Sequence, residues 1–290
     1  MQTDEREPGT GEVSVDIDGL EAGAVVLVPA GTSTPYETVT GTRVDGGRVV
    51  DVLIDADLGL AATVVEADGG LLRVVHEWEI SRPGAGYPEA AFVPRSNRHS
   101  SAAEELAAAS REVARKAGGG RRAVEALVAE AEARFAYAHP EHAFNEGSDA
   151  VPYLACGTTP GSCVDINTYL VASLRAAGID TAYVYGYFFP AERGGIAYDM
   201  HCWVVTRCDG EILEWDIAHH MKAGLGPTRP ALDPRPGRRI ALGHSMGHRY
   251  VGQSRATEVK LLAQPLLECG GDWSWIDVTA TLREPVRQTT

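Results

Sequence analysis

At 290 residues with 44% hydrophobic content, the chain is long enough to bury a substantial core and to hold two domains. Its net charge of −14 excludes nucleic acid as a general partner, since phosphate binding needs a basic face. Five cysteines, Cys156, Cys163, Cys202, Cys208 and Cys269, are odd in number and lack C-x-x-C spacing, so neither a disulfide framework nor a zinc site is expected.

Residues 1–11 are polar and acidic and read as a disordered tail. They lack the apolar run of a signal peptide, and no stretch of about 18 apolar residues occurs, so the expectation is a cytoplasmic protein without a membrane partner. Residues 12–82 read as an N-terminal all-β domain, a small sandwich or barrel. Val13-Ser-Val-Asp-Ile17 alternates, Ala24-Val-Val-Leu-Val28 is a buried run, and Asp45-Gly46-Gly47 and Asp68-Gly69-Gly70 look like hairpin turns. Residues 83–100, rich in proline and glycine, read as a linker into a second domain over 101–290.

Two helices come next. Leu106, Val113 and Ala117 mark the first, Gly118-Gly119-Gly120 ends it, and Val124, Leu127, Val128, Ala131 and Phe135 give the second a wide apolar face. An irregular segment, in which Asn145, Tyr153 and Thr159 are candidate donors to an oxyanion, leads to a third helix. Ser162 is its N-cap, Asp165 stands in a capping-box position, Ile166, Leu170 and Leu174 form a buried stripe, and Gly178 with Ile179 terminates it. Cys163 therefore sits in the first turn, where unpaired N–H groups and the helix dipole favour the thiolate. Its own amide could face a developing oxyanion, and Gly157 to Gly161 would let a substrate approach the backbone. Taken alone, a cysteine is more often a small hydrophobic core residue.

Thr181 to Phe189, His201 to Cys208 and Glu211 to Asp216 read as strands, with Asp209-Gly210 turning between the last two. A two-residue loop pairs Cys208 with Glu211 and places Asp216 diagonally from His201; a four-residue loop places the two directly opposite; an odd loop separates them onto opposite faces. Cys202, one residue on from His201, should point the other way as inert core.

Beyond Asp216, a Pro/Gly/Arg-rich stretch runs to about residue 240, and Arg229, Arg235, Arg238 and Arg239 are either a solvated loop or a contact for an anionic substrate or an acidic carrier protein. Gly243-His-Ser-Met-Gly247 fits a serine nucleophile elbow, but only His248 lies beyond Ser245 and no acid stands between them. His219, His220, His244 and His248 are clustered without an H-E-x-x-H pattern and read as loop histidines rather than metal ligands. Val259-Lys-Leu-Leu262 and Trp273 to Val278 read as closing strands, with Trp273 and Trp275 on one face as core.

Gly161-Ser162-Cys163 with Asp165, Leu174-Arg-Ala-Ala-Gly-Ile179, Tyr183-Val-Tyr-Gly-Tyr187, Met200-His-Cys-Trp-Val204 and Glu214-Trp-Asp216 stand in one order over roughly residues 100 to 220. Together they resemble the transglutaminase-like superfamily of papain-type thiol enzymes. The resemblance implies an α+β fold, a helix packed on an antiparallel sheet, and it agrees with the β domain ahead of it. It implies Cys163 as nucleophile, His201 as base and Asp216 as the orienting group, with no cofactor and no metal. The substrate expected is a peptide, amide or acyl thioester, forming an acyl-Cys163 thioester that water hydrolyses. An amide-forming acyltransferase of specialised metabolism and a non-catalytic binding module are the alternatives.

Overall fold

The computed structural model describes residues 9–82, 85–93 and 95–284. Of the expected tail, residues 1–8 lie outside the described residues, while Thr10 and Gly11 already belong to the first strand, Thr10–Leu20. The fold is α+β, with four α-helices among the described residues: α1 (Glu104–Ala117), α2 (Gly120–Arg134), α3 (Cys163–Ala176) and α4 (Ile217–Ala223). No helix among them is long and apolar enough to cross a membrane.

The site is carried by a four-stranded antiparallel sheet in the order Glu211–Trp215, His201–Cys208, Asp180–Pro190, Gly237–His244. The alternating faces of its strands differ in what covers them. Tyr183, Tyr185, Cys202 and Val204 share a core with Ile166, Leu170 and Leu174 of α3, and Val124, Leu127 and Val128 of α2 complete it. Ala182, Val184, Trp203 and Val205 pack on the other side against Tyr87, Ala91 and Phe92. The expected linker is thus a packed strap, fixed further by Arg95, which donates to Asp55, Asp57 and the Gly247 carbonyl. Pro83, Gly84 and Pro94 of that linker lie outside the described residues.

Apart from a short parallel pair, Phe135–Tyr137 with Thr159–Gly161, the remaining strands form a five-stranded and a seven-stranded sheet. Their pairing runs across the expected division at residues 83–100. Thr10–Leu20 pairs with Thr279–Arg283, Val25–Pro29 with Leu266–Cys269, and Gly47–Asp55 with His248–Val251. Leu27, Leu53, Leu58 and Leu60 bury a common apolar cluster with Tyr250, Leu262 and Leu266. Neither chain segment alone covers that surface, so the end of the chain returns to the β region instead of closing the helical part.

Both Asp-Gly-Gly turns differ from expectation. Glu37–Asp45 pairs with Gly70–Ile80, whereas Gly47–Asp55 pairs with Leu60–Ala67, so each turn carries the chain from one sheet to the other. The two corners are tied together by the Asp68 amide donating to the Gly46 carbonyl at 2.9 Å. Gly46 has φ 84° and no room for a Cβ, which would strike the Leu71 carbonyl oxygen. Turn chemistry alone did not distinguish a hairpin from such a corner.

Candidate active site

The first turn of α3 is built by its cap. The Ser162 hydroxyl and amide both donate to Asp165 Oδ2, at 2.8 and 2.9 Å, and the Asp165 amide donates back to Ser162 Oγ. At the far end the Gly178 and Ile179 amides donate to the carbonyls of Arg175 and Leu174, with Gly178 at φ 78°. Cys163 is the first helical residue, so its amide is one of the N–H groups that the helix itself leaves unpaired. Gly161 has a packing reason: a Cβ there would lie 2.6 Å from the Phe135 ring. Asn145, Tyr153 and Thr159 do not line the cleft around Cys163.

The hairpin takes the two-residue form. Cys208 pairs with Glu211, and Asp209 and Gly210 have φ 53° and 78°. Pairing continues to Val204 opposite Trp215 and then stops, because Asp216 leaves the strand to cap α4, accepting from the His219 amide at 2.9 Å. His201, first residue of its strand, still reaches it: Nε2 lies 2.8 Å from Asp216 Oδ2. That leaves Nδ1 as the ring nitrogen free to serve the Cys163 thiol, which interacts electrostatically with the imidazole and lines the same cleft. The structure thus joins His201 to Asp216 and places Cys163 on the same cleft as the imidazole.

The electrostatics result from these contacts. Interactions with the Cys202 thiol and with His201, together with the charge of Lys222, outweigh burial and hold the Cys163 thiol well below its ordinary value. Burial alone would lower the His201 value, but the Asp216 carboxylate and the Cys163 sulfur more than offset it, and the imidazole is raised. Burial opposes the Asp216 charge as well, yet His201 and Arg239 keep it well below the usual carboxylate range.

Cys202 does point to the opposite strand face, toward α3, but it is not remote from the chemistry. Its free thiol interacts electrostatically with that of Cys163, and Asn167 Nδ2 donates to its sulfur at 3.3 Å and its carbonyl at 2.9 Å.

Two residues at this site were not foreseen. Arg239 lies not in a solvated loop but in the Gly237–His244 strand, 2% exposed, its guanidinium paired with Asp216 and stacked 5.1 Å over Trp203. His219 stacks parallel on His201 with ring centroids 4.0 Å apart, and its Nδ1 lies 2.8 Å from the same Asp216 oxygen. Burial and the neighbouring charge of His201 push His219 down to about 3, so it is a neutral imidazole there. His201, Asp216 and His219 present ligand atoms within 4.8 Å of one another, the spacing of a metal site. The Arg239 guanidinium on the shared carboxylate opposes a second cation at that point.

The other histidines are not loop residues either. His220 lies in α4 with Nδ1 2.8 Å from the Asp216 carbonyl, while His244 ends one strand and His248 begins the next, both buried. Ser245 between them has φ 69°, but it leads into the His248–Val251 strand rather than a helix, and its Oγ is buried against His244 Nδ1 at 3.0 Å. Ser245→Ala is expected to leave amide turnover unchanged and to lower stability by about 1 kcal/mol through the lost hydrogen bond, read from turnover and from denaturant unfolding.

Cys163 and His201 open into a cleft of about 1140 Å³. One wall comes from the α3 side and from Phe188, Tyr198 and Met200, the other from the chain's last strands, including Trp273 and Trp275. Trp275, expected in the core, is 53% exposed, because its edge strand turns that face to the cleft.

A family model described as the transglutaminase-like superfamily matches residues 107–214. Residues 107–214 thus carry a transglutaminase-like domain. The matched span contains Cys163 and His201 and ends two residues before Asp216, so it takes in α2, α3, most of α1 and three of the four strands of the sheet they cover. Among solved structures, a candidate cysteine protease from Cytophaga hutchinsonii is 10% identical with a TM-score of 0.55, over 96% of this chain and 98% of that one, which shows a shared fold. The periplasmic domain of TgpA from Pseudomonas aeruginosa is 15% identical with a TM-score of 0.40, over 76% of this chain and 93% of that one. No curated protein matches the sequence significantly.

Proposed function

We propose that this protein is a cysteine-dependent amide hydrolase that works through an acyl-Cys163 thioester. The observation that carries this reading is the line from Asp216 through His201 to a thiol at the tip of α3, opening into the cleft. Three side chains distant in sequence have no packing reason to share one proton path, and the thiolate and imidazolium that the surroundings favour are the species a thiol nucleophile needs.

In the proposed cycle the Cys163 thiolate adds to the carbonyl carbon. The oxyanion forms beside the Cys163 amide, a donor of the kind worth about 3 kcal/mol in a transition state. Collapse of the adduct breaks the C–N bond, and the imidazolium of His201 gives the departing amine its proton. The neutral imidazole then takes a proton from water, the hydroxide displaces sulfur from the thioester, and the carboxylic acid leaves. Asp216 holds the ring with Nδ1 toward sulfur throughout. Exposed Tyr198 and Trp275 in the cleft walls leave it open to water, which favours hydrolysis over transfer. We place the protein in the cytoplasm, where a thiol nucleophile stays reduced.

The test is incubation with peptide amides and acyl thioesters, with and without a competing amine, while the intact mass and the products are monitored. A transient acyl adduct on Cys163 with free acid as the main product is the expected result. Amine capture as the dominant outcome replaces hydrolase by acyltransferase, and the absence of any adduct across the series replaces enzyme by binding module.

A further inference from the structure

The arginines that looked fit for an anionic substrate are largely engaged by the protein itself. Arg239 pairs with Asp216, Arg238 with Glu284 at 3.2 Å while stacking over Trp78, and Arg235 with Glu192. A different pair of cations is not. Arg98, at the end of the strap, and Lys260, just after the Ala256–Val259 strand, line the same cleft as Cys163. Neither side chain makes an ion pair or hydrogen bond with any described residue.

Lys260 is half-buried, and burial works against its charge. The carboxylate that most supports it is Asp165, which already accepts the Ser162 amide and hydroxyl in the cap of α3. The charge of Arg98 works further against Lys260. Two like charges that act on each other therefore line one cleft, one of them partly desolvated, in a chain of net charge −14. That arrangement works against folding, because each cation repels the other and burial opposes the charge of Lys260. The acids of the cleft, Asp199, Glu258, Asp272 and Asp277, form no ion pair with either cation. An anion entering the cleft would relieve the repulsion and restore a counter-charge to Lys260.

We propose that Arg98 and Lys260 form a carboxylate subsite beside Cys163, so that the preferred substrate is an amide carrying an acidic group within a few bonds of the scissile carbonyl. The proposal rests on Cys163 being the reactive thiol. It identifies the substrate class as acidic peptides or acyl amino acids rather than neutral amides. The contact with an anionic substrate considered for the 229–239 stretch passes to these two residues of the same cleft.

Alkylation separates the two ideas. Iodoacetate and iodoacetylglycine are each compared with their neutral amides, and the second-order rate of Cys163 modification is measured by mass; the thiolate displaces iodide in every case. The expected result is a charged-over-neutral rate ratio that falls about tenfold in Lys260→Gln and by a smaller factor in Arg98→Gln, the size of one charged hydrogen bond. Lys260→Arg should retain the ratio, and half-saturation by iodoacetylglycine should move to higher concentration in Lys260→Gln. Raising salt from about 0.05 to about 0.5 M should shrink the wild-type ratio by screening. Alkylation that proceeds with an unchanged ratio in both glutamine variants overturns the subsite alone. Failure of Cys163 to react with any of the four reagents overturns the thiol-enzyme reading beneath it.

Discussion

Cys163→Ala is expected to lower amide turnover by at least about a thousandfold, with the folded structure retained. The substitution removes the only atom that could form the thioester, while leaving the helix cap, the amide at the helix tip and His201 in place. Structurally it is mild. The side chain is small and 5% exposed in a core dominated by Ile166, Leu170 and Tyr169, so loss of the sulfur should cost no more than about 1 kcal/mol. Residual activity would come from substrate binding and the remaining oxyanion donor. The measurement is turnover beside denaturant unfolding, in parallel with Ser245→Ala. A fully active Cys163→Ala protein would rule the thiol out as nucleophile, and an inactive Ser245→Ala protein would transfer that role to the serine.

Asp216→Asn should act on catalysis and stability together. Asp216 is fully buried and serves at once as partner of His201, of His219 and of Arg239 and as N-cap of α4. An asparagine can keep the cap, but it cannot neutralise Arg239, whose remaining carboxylate is Asp233 at 3.4 Å. Leaving a buried charge without its counter-charge costs about 3–5 kcal/mol. Activity should fall about 10²- to 10⁴-fold, because an amide no longer fixes the imidazole with Nδ1 toward sulfur and no longer stabilises the imidazolium. Adding Arg239→Met to Asp216→Asn should recover part of the stability but none of the activity, a non-additivity that identifies the ion pair as the source of the destabilisation. The linkage has a definite sign. The folded-state value of Asp216 lies below its unfolded value of about 4, so its contribution is present above that pH and is lost as pH falls through the folded value. The stability difference between wild type and variant should therefore narrow on acidification, read from unfolding curves at a series of pH values.

The features legible in the chain and those hidden from it divide along physical lines. Local signals survived: Ser162 with Asp165 starts α3, Gly178 with Ile179 ends it, and Asp209-Gly210 makes the two-residue turn that puts Asp216 within reach of His201. Each depends on residues within a few positions of one another. The failures concern surroundings supplied by distant segments. Arg239 sits in a proline-rich context that suggests solvent, and only the fold reveals the buried carboxylate and the Trp203 ring waiting for it. One hint was present, since Arg239 directly precedes the apolar run Ile240-Ala-Leu242, where a strand residue has an inward face. His219 had a signal too, because an N-cap aspartate brings the residue three places on against its own carboxylate. Asp45-Gly-Gly and Asp68-Gly-Gly reverse the chain as expected, but whether the next strand pairs with the last or joins another sheet is settled by which faces must be buried. Trp275 failed for the same reason, as alternation places it on a face without saying that the face borders a cleft.

Cys163 and His201 are expected to exist as a thiolate and an imidazolium around neutral pH. The Cys163 value is lowered, so the thiolate persists below the ordinary thiol value of about 8.5; the His201 value is raised, so the imidazolium persists above about 6.5. The direct measurement is the pH dependence of the rate at which iodoacetamide alkylates Cys163, in wild type and in His201→Ala. A rate nearly flat across neutrality in the wild type, with His201→Ala reverting to a climb of about tenfold per pH unit toward 8.5, is the result the ion pair requires. The same steep climb in both proteins would show an ordinary thiol and contradict it.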